Sequence, residues 1–334
     1  MPRIQLTTPA LERLRPRLDA LDRSFEYVVM DETGTLRLDG HEVSPEQARP
    51  DCGLLSNDLF FAPFALAYVD ALVRSPALKW VQSCGAGLDH PMFVRLAQRS
   101  DIRLTTNHSQ GVGMAEYVMW GVLDHFHSGA AQLLQPAKHD PRRWIRRRVR
   151  EIDGTRWLII GFGAIGQAVA RRAKAFGAHV TGVRRRPEPS EFADAVVTSS
   201  RIIDALGDAD VVVLCMPHTP ETENLVDAKF LAAMKPDSML VNVGRGSAID
   251  DAALLDALDR GRPGHALLDV FRVEPLPDDH PFWSHPRITA TAHTSAVTTG
   301  WNARFDELVV DNVARYLSGR PLLNEVAISE VPTS

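Results

Sequence analysis

Trp157-Leu158-Ile159-Ile160-Gly161-Phe162-Gly163-Ala164-Ile165-Gly166-Gln167-Ala168-Val169-Ala170 runs from four apolar residues, through glycines at G-x-G-x-x-G spacing, into an apolar helical pattern. Glycines alone would say little, because they cluster in many turns. Their setting says more: strand, tight turn and helix in direct succession is the context in which this spacing holds a dinucleotide. Gly161 permits the turn, Gly163 lets the backbone approach a pyrophosphate, and Gly166 lets helix and strand pack closely. At Ala164 and Ile165 the helix opens, so its free N–H groups and positive dipole end face the phosphates. A strand–turn–helix without a ligand is the alternative.

Downstream, short apolar runs alternate with helix-like segments. Strands are expected at Trp157–Ile160, His179–Val183, Val211–Cys215, Met239–Val243, Ala266–Val270 and Ile288–Thr291, with a helix over Ala164–Phe176 closed by Gly177. Strands so continuous in Val, Ile and Leu are buried on both faces, as in a parallel sheet covered by helices. The expectation is a doubly wound α/β domain. The end of the second strand reads Gly182-Val183-Arg184-Arg185-Arg186, where NAD enzymes place an acidic residue for the adenosine ribose. A guanidinium instead binds a 2′-phosphate bidentately, so Arg184 and Arg185 favour NADP(H) over NAD(H). The other reading makes them a solvated loop.

Upstream, weaker alternation places strands at Phe25–Met30, Gly53–Leu55, Leu78–Val81 and Ile102–Thr105, with a helix over Pro91–Gln98. Long helical patterns at Met114–Phe126 and Trp301–Leu317 flank the central region. A chain of 334 residues is too long for one ordinary core. The expected division is a discontinuous substrate domain, 1–115 plus 300–334, and a dinucleotide-binding domain, 116–299. With 45% hydrophobic and 24% charged residues the chain reads as globular, and a net charge of −5 argues against a nucleic-acid partner. The basic run Arg142–Arg150 fits a solvated connection between domains better than a polyanion site. The longest apolar stretch, Leu59–Val69, contains Pro63 and falls short of the ~20 residues a membrane helix needs. Three scattered cysteines and the lack of a secretory apolar segment suit the cytoplasm, and no Cys/His group has metal-ligand spacing.

Three further segments fall at the carboxyl ends of strands, where open α/β sheets place their chemistry: Asn242–Gly246, Leu268–Pro277 and Thr291–Ser295. Hydride transfer to a 2-oxo acid needs a planar, permanently charged donor for the carboxylate, and Arg245 qualifies. The carbonyl oxygen needs an acid titrating near working pH, for which His293 is suited. A carboxylate behind that histidine fixes its tautomer and favours its charged form, a role open to Glu274. Taken singly, Arg245 could serve a salt bridge and Glu274 a turn before Pro275.

Together with the glycine turn, these segments resemble the D-isomer-specific 2-hydroxyacid dehydrogenases, from Gly85-Ala86-Gly87-Leu88-Asp89 to His293. The resemblance implies two Rossmann/flavodoxin-like doubly wound domains with a hinged cleft, a homodimer, and a 2-oxo or 2-hydroxy acid as substrate. It gives Arg245, Glu274 and His293 the substrate-gripping, pairing and acid/base roles. It places Pro217 and Thr222 in a cofactor-contacting loop and Val243 in the signature before the arginine. It makes Asp269 an acceptor for the nicotinamide carboxamide, although an aspartate there could simply cap a turn. Gly85, Ala86 and Gly87 become backbone donors to the substrate carboxylate. Ala292 departs from the family's usual proline. Arg184 departs from its usual acid but agrees with the NADPH-using glyoxylate/hydroxypyruvate reductases. Two other readings remain: formate-type dehydrogenation, disfavoured because that branch pairs its histidine with glutamine, and a dinucleotide-sensing regulator of the co-repressor kind. Cys84 is expected to pack as a small hydrophobe, and Phe60–Phe64 to line a pocket or the core.

Overall fold

The computed structural model describes residues 1–21, 25–60, 62–128 and 148–331. Two compact units share the chain: Met1–Gln110 with Thr299–Ser334, and Gly111–Thr298. Phe61 and residues 142–147 of the basic run lie outside the described residues.

The discontinuous unit holds strands β1 (Arg3–Thr7), β2 (Glu26–Met30), β3 (Leu36–Leu38), β4 (His41–Glu42), β5 (Cys52–Leu55), β6 (Trp80–Ser83), β7 (Arg103–Thr105) and, from the end of the chain, β15 (Glu325–Val326). Their order is β15-β7-β6-β5-β1-β2-β3-β4. The parallel middle, β2-β1-β5-β6-β7, is the flavodoxin arrangement, while β3, β4 and β15 pair antiparallel at the edges. The returning helix Trp301–Ser318 lays Phe305, Val309 and Val313 on Ile4, Leu6 and Trp80. Its buried Asn312 donates to Gln82 Oε1 at 2.8 Å and accepts from Leu323 N–H at 2.7 Å. That network satisfies polar groups which burial would otherwise penalise. The expected strand over Leu78–Val81 sits two residues later, because Gln82 and Ser83, though polar, are buried strand residues and Lys79 N–H turns to Asp51 O.

Among its described residues the continuous unit contains seven parallel strands: β8 (Arg156–Ile160), β9 (His179–Val183), β10 (Ala195–Val197), β11 (Val211–Leu214), β12 (Met239–Asn242), β13 (His265–Leu268) and β14 (Ile288–Ala290). They are ordered β10-β9-β8-β11-β12-β13-β14, the Rossmann arrangement with its switch point between β8 and β11. Val197, Val183, Ile160, Leu214, Asn242, Leu268 and Ala290 lie opposite one another in one row, so every loop leaves along one edge. Alternate residues feed two cores: Leu158, Val212, Leu240 and Leu268 on one face, Trp157, Val211, Val241 and Leu267 on the other. Each such side chain contributes about 1.5–3 kcal/mol on burial. Helix Gly111–His127 comes so close to the second face that a Cβ on Gly121 would fall 2.2 Å from Leu267 Cδ2. Arg150, the end of the basic run, pairs with Asp210 and lies 4.4 Å over the Phe126 ring, a packing role. Helix Ala164–Ala175 ends as expected, Gly177 following with φ +83°. Among the described residues no helix is long and apolar enough to cross a membrane.

Candidate active site

The glycine turn lies at the switch point, and its three glycines meet three different surroundings. A Cβ on Gly161, where φ is +94°, would fall 2.5 Å from Met216 N of the adjoining strand end. One on Gly166 would fall 2.4 Å from Gly161 O. One on Gly163 would meet nothing within 4 Å. Gly163 is also the N-cap of helix Ala164–Ala175, and no side chain caps it. First-turn N–H groups have no carbonyl one turn back, so here they are left for an outside acceptor. Open space at Gly163 over uncapped amides at Ala164 and Ile165 fits a pyrophosphate. The neighbouring Pro217–Thr222 loop is closed on itself: Thr222 Oγ1 donates to Pro217 O at 2.9 Å and accepts from Thr219 N–H at 2.8 Å. Val243 is buried in the core, so it offers a ligand only its backbone.

Arg184 follows β9 and is half-buried, while Arg185 is exposed. The Arg184 guanidinium donates from Nε to Arg186 O at 2.5 Å and pairs with the exposed Glu188. A phosphate arriving there would meet a cation already partly engaged.

Arg245, Glu274 and His293 follow the adjacent strands β12, β13 and β14. The Arg245 turn is shaped by its neighbours. Asn242 Nδ2 donates to Arg245 O at 2.9 Å, Asn242 Oδ1 accepts from Gly244 N–H at 3.0 Å, and Arg245 Nη1 donates to Gly244 O at 2.8 Å. A Cβ on Gly246 would fall 1.9 Å from Phe271 C, so only glycine lets the two loops touch. Arg272 fastens them further, donating to Glu223 Oε1 at 2.6 Å, Asn224 Oδ1 at 2.5 Å and Ile249 O at 2.7 Å.

Glu274 Oε1 accepts from Phe271 N–H at 2.9 Å, and Oε2 lies 2.8 Å from His293 Nδ1. The hydrogen bond to Glu274 is the main cause raising the His293 pKa; burial and the Arg245 charge oppose it, and Asp269 adds to it. Burial pushes Glu274 up, yet the bonds from His293 and Phe271 outweigh it and hold the carboxyl below its ordinary value. Since Glu274 accepts at Nδ1, the proton available for transfer is on Nε2. His293 itself has φ +52°, an uncommon conformation for a residue with a side chain.

Asp269, fully buried, accepts from Thr291 Oγ1 at 2.6 Å, Thr294 N–H at 2.9 Å and Ser295 N–H at 2.9 Å. Its carboxylate thus organises the His293 loop, capping a turn that lies 25 residues further along the chain. Asn242 carried a usable signal, a polar residue ending a buried apolar strand; Thr291 and Arg272 carried none. In the other unit, Gly85 N–H is taken by Ser83 Oγ at 3.0 Å. Among the described residues no hydrogen bond takes up the N–H of Ala86 or Gly87. Cys84 is buried and its thiol pushed up by burial, and Phe60 and Phe64 pack on the core. No group of His, Cys, Asp and Glu among the described residues could hold a metal ion.

Residues 118–295 match the family model of the D-isomer specific 2-hydroxyacid dehydrogenase NAD binding domain. An (S)-sulfolactate dehydrogenase of Chromohalobacter salexigens is 34% identical, over 75% of this chain and 81% of that protein. A D-isomer specific 2-hydroxyacid dehydrogenase from Xanthobacter autotrophicus, solved in complex with NADPH and MES, is 27% identical with a TM-score of 0.77, over 99% of both chains. An NADPH-dependent glyoxylate/hydroxypyruvate reductase from Sinorhizobium meliloti, solved with NADP and sulfate, is 27% identical with a TM-score of 0.75, again over 99% of both.

Proposed function

The chain belongs to the D-isomer specific 2-hydroxyacid dehydrogenases, and on that premise we propose that it reduces glyoxylate, hydroxypyruvate or a similarly small 2-oxo acid with NADPH. The observation that carries the reading is the Glu274–His293 pair at 2.8 Å, one strand away from the Arg245 turn. The cofactor is a nicotinamide dinucleotide, and the phosphate preference rests on Arg184 standing where an acid would exclude a 2′-phosphate. The two solved relatives that hold NADPH or NADP support it.

When bound, the reduced nicotinamide supplies the hydride for the substrate's carbonyl carbon. Arg245 grips the substrate carboxylate with a planar, permanently charged fork. His293 gives its Nε2 proton to the carbonyl oxygen as the C=O π pair moves onto that oxygen. The imidazole ends neutral, still donating from Nδ1 to Glu274. Glu274 raises the affinity of the imidazole for its proton and fixes which nitrogen faces outward. Ala86 and Gly87 offer backbone N–H groups suited to a carboxylate, and Asp269 holds the His293 loop.

NADPH oxidation by the purified protein over a panel of 2-oxo acids tests the proposal. Arg245→Ala and His293→Ala should each abolish turnover and leave NADPH binding intact. Tight NADPH binding without turnover of any acid would favour a dinucleotide sensor. Retained turnover in His293→Ala would overturn the acid/base assignment.

A further inference from the structure

Tyr117 lies in helix Gly111–His127, outside every motif that marks the site. Its hydroxyl is 2.6 Å from Thr291 Oγ1, and Thr291 Oγ1 is 2.6 Å from Asp269 Oδ1. Both Asp269 oxygens act as acceptors, since Thr294 N–H and Ser295 N–H also donate to them. Thr291 has one hydroxyl proton and spends it on Asp269, so Tyr117 must be the donor to Thr291. The chain runs one way: Tyr117 O–H to Thr291, Thr291 O–H to Asp269.

That chain ends on the group that shapes the His293 backbone. His293 N–H donates to Asp269 O at 2.8 Å, and the next two N–H groups donate to the Asp269 carboxylate. A non-glycine residue at φ +52° keeps that conformation only when its surroundings over-determine it. We propose that Tyr117 is a positioning residue for His293, holding residues 291–295, through Thr291 and Asp269, in the conformation that keeps the imidazole on Glu274. Without the Tyr117 donor Thr291 is free to turn, Asp269 loses a fixed partner, and the loop can relax towards negative φ. The imidazole then leaves Glu274, which raises its proton affinity. The remaining neighbours act in opposite senses, Asp269 raising that affinity and Arg245 lowering it.

The inference rests on His293 being the acid, and its test includes a measurement that needs no turnover. Tyr117→Phe, Thr291→Val and Thr291→Ser are made in the full chain. The pH dependence of kcat/KM is measured with NADPH and hydroxypyruvate, and the His293 imidazole is titrated by NMR, assigned against His293→Ala. Tyr117→Phe is expected to lower kcat about 3- to 10-fold, the loss of one hydroxyl hydrogen bond. It should also move the falling limb and the His293 midpoint to lower pH. Thr291→Val should do both more strongly, and Thr291→Ser should restore most of what valine loses. A folded Tyr117→Phe with the wild-type limb and midpoint overturns the proposal, whatever its kcat. Should Thr291→Val fail to fold, Tyr117→Phe, lacking a single oxygen, decides alone. If the wild type reduces no 2-oxo acid, the reductase reading fails, while the NMR midpoint still decides the role of Tyr117.

Discussion

Replacing Gly163 with alanine should leave the protein folded and remove its grip on the cofactor. Gly163 has φ −88° and ψ −156°, ordinary extended backbone, and its added methyl would meet nothing within 4 Å. Alanine gains about 0.4–1 kcal/mol from the lower entropy of the unfolded chain. It loses a similar amount, about 0.5–1 kcal/mol, as a poorer N-cap than glycine. The two offset, and the melting temperature should stay within about 2 °C of wild type. The methyl nevertheless fills the space a pyrophosphate must enter to reach the helix amides. Each N–H bond to a charged phosphate oxygen contributes about 1.5–3 kcal/mol, so one lost bond weakens NADPH about 10- to 150-fold. Gly161→Ala should behave oppositely, because strain at φ +94° and contact with Met216 N destabilise the fold by roughly 3–5 kcal/mol. Thermal melts paired with NADPH titrations at fixed salt read both quantities. An unchanged Kd in a folded Gly163→Ala protein would refute the placement of the pyrophosphate.

Glu274→Gln removes the main cause raising the His293 pKa. Reduction uses protonated His293, so the falling limb of its pH profile should move to lower pH; an unmoved limb counts against the pair. Arg184→Ala should weaken NADPH about 10-fold and spare NADH, whereas Glu188→Gln, releasing Arg184, should tighten NADPH. Equal losses for both cofactors would remove Arg184 from the 2′-phosphate. His265 stacks on His125 at 4.4 Å, and burial, then the charges of His125 and His285, push its pKa down to about 4. The unfolded chain binds that proton near pH 6.5. This contribution to stability is therefore complete above about pH 6.5 and lost as pH falls towards 4. In His265→Gln the melting temperature should fall less between pH 7 and 4.5, and an identical slope would exclude the stack as the cause.

The residues most legible in the sequence were those whose neighbours in the chain are also their neighbours in space. The runs Trp157–Ile160 and Val211–Leu214 announce buried parallel strands because every residue in them is apolar. The pattern predicts no strand at β1 because Gln5 interrupts it, and Tyr68 O, which accepts from the Gln5 amide NH2, lies 63 residues further on. β10 is a three-residue edge strand, too short for any periodicity. Arg245, Glu274 and His293 are legible as candidates because each sits in a distinctive segment just after a strand. The supports of that site were not: Tyr117 reaches Thr291 across 174 residues, and Arg272 reaches Glu223 across 49. In the sequence Arg184 stands free for a phosphate, and only the folded loop brings Glu188 onto it.

The antiparallel strand β15 and the helix before it impose an order on the birth of the protein. Residues 1–110 emerge from the ribosome first, yet Phe305, Val309 and Asn312, which cover Trp80 and satisfy Gln82, come only after residues 111–298. At about 5–20 residues per second the wait is roughly ten to forty seconds. Throughout it β7 presents a bare edge and Ile4, Leu6 and Trp80 an uncovered apolar face, the features that recruit holdase chaperones or misassemble. The continuous unit, encoded later, can finish first, so maturation of the nascent chain runs against its direction of synthesis.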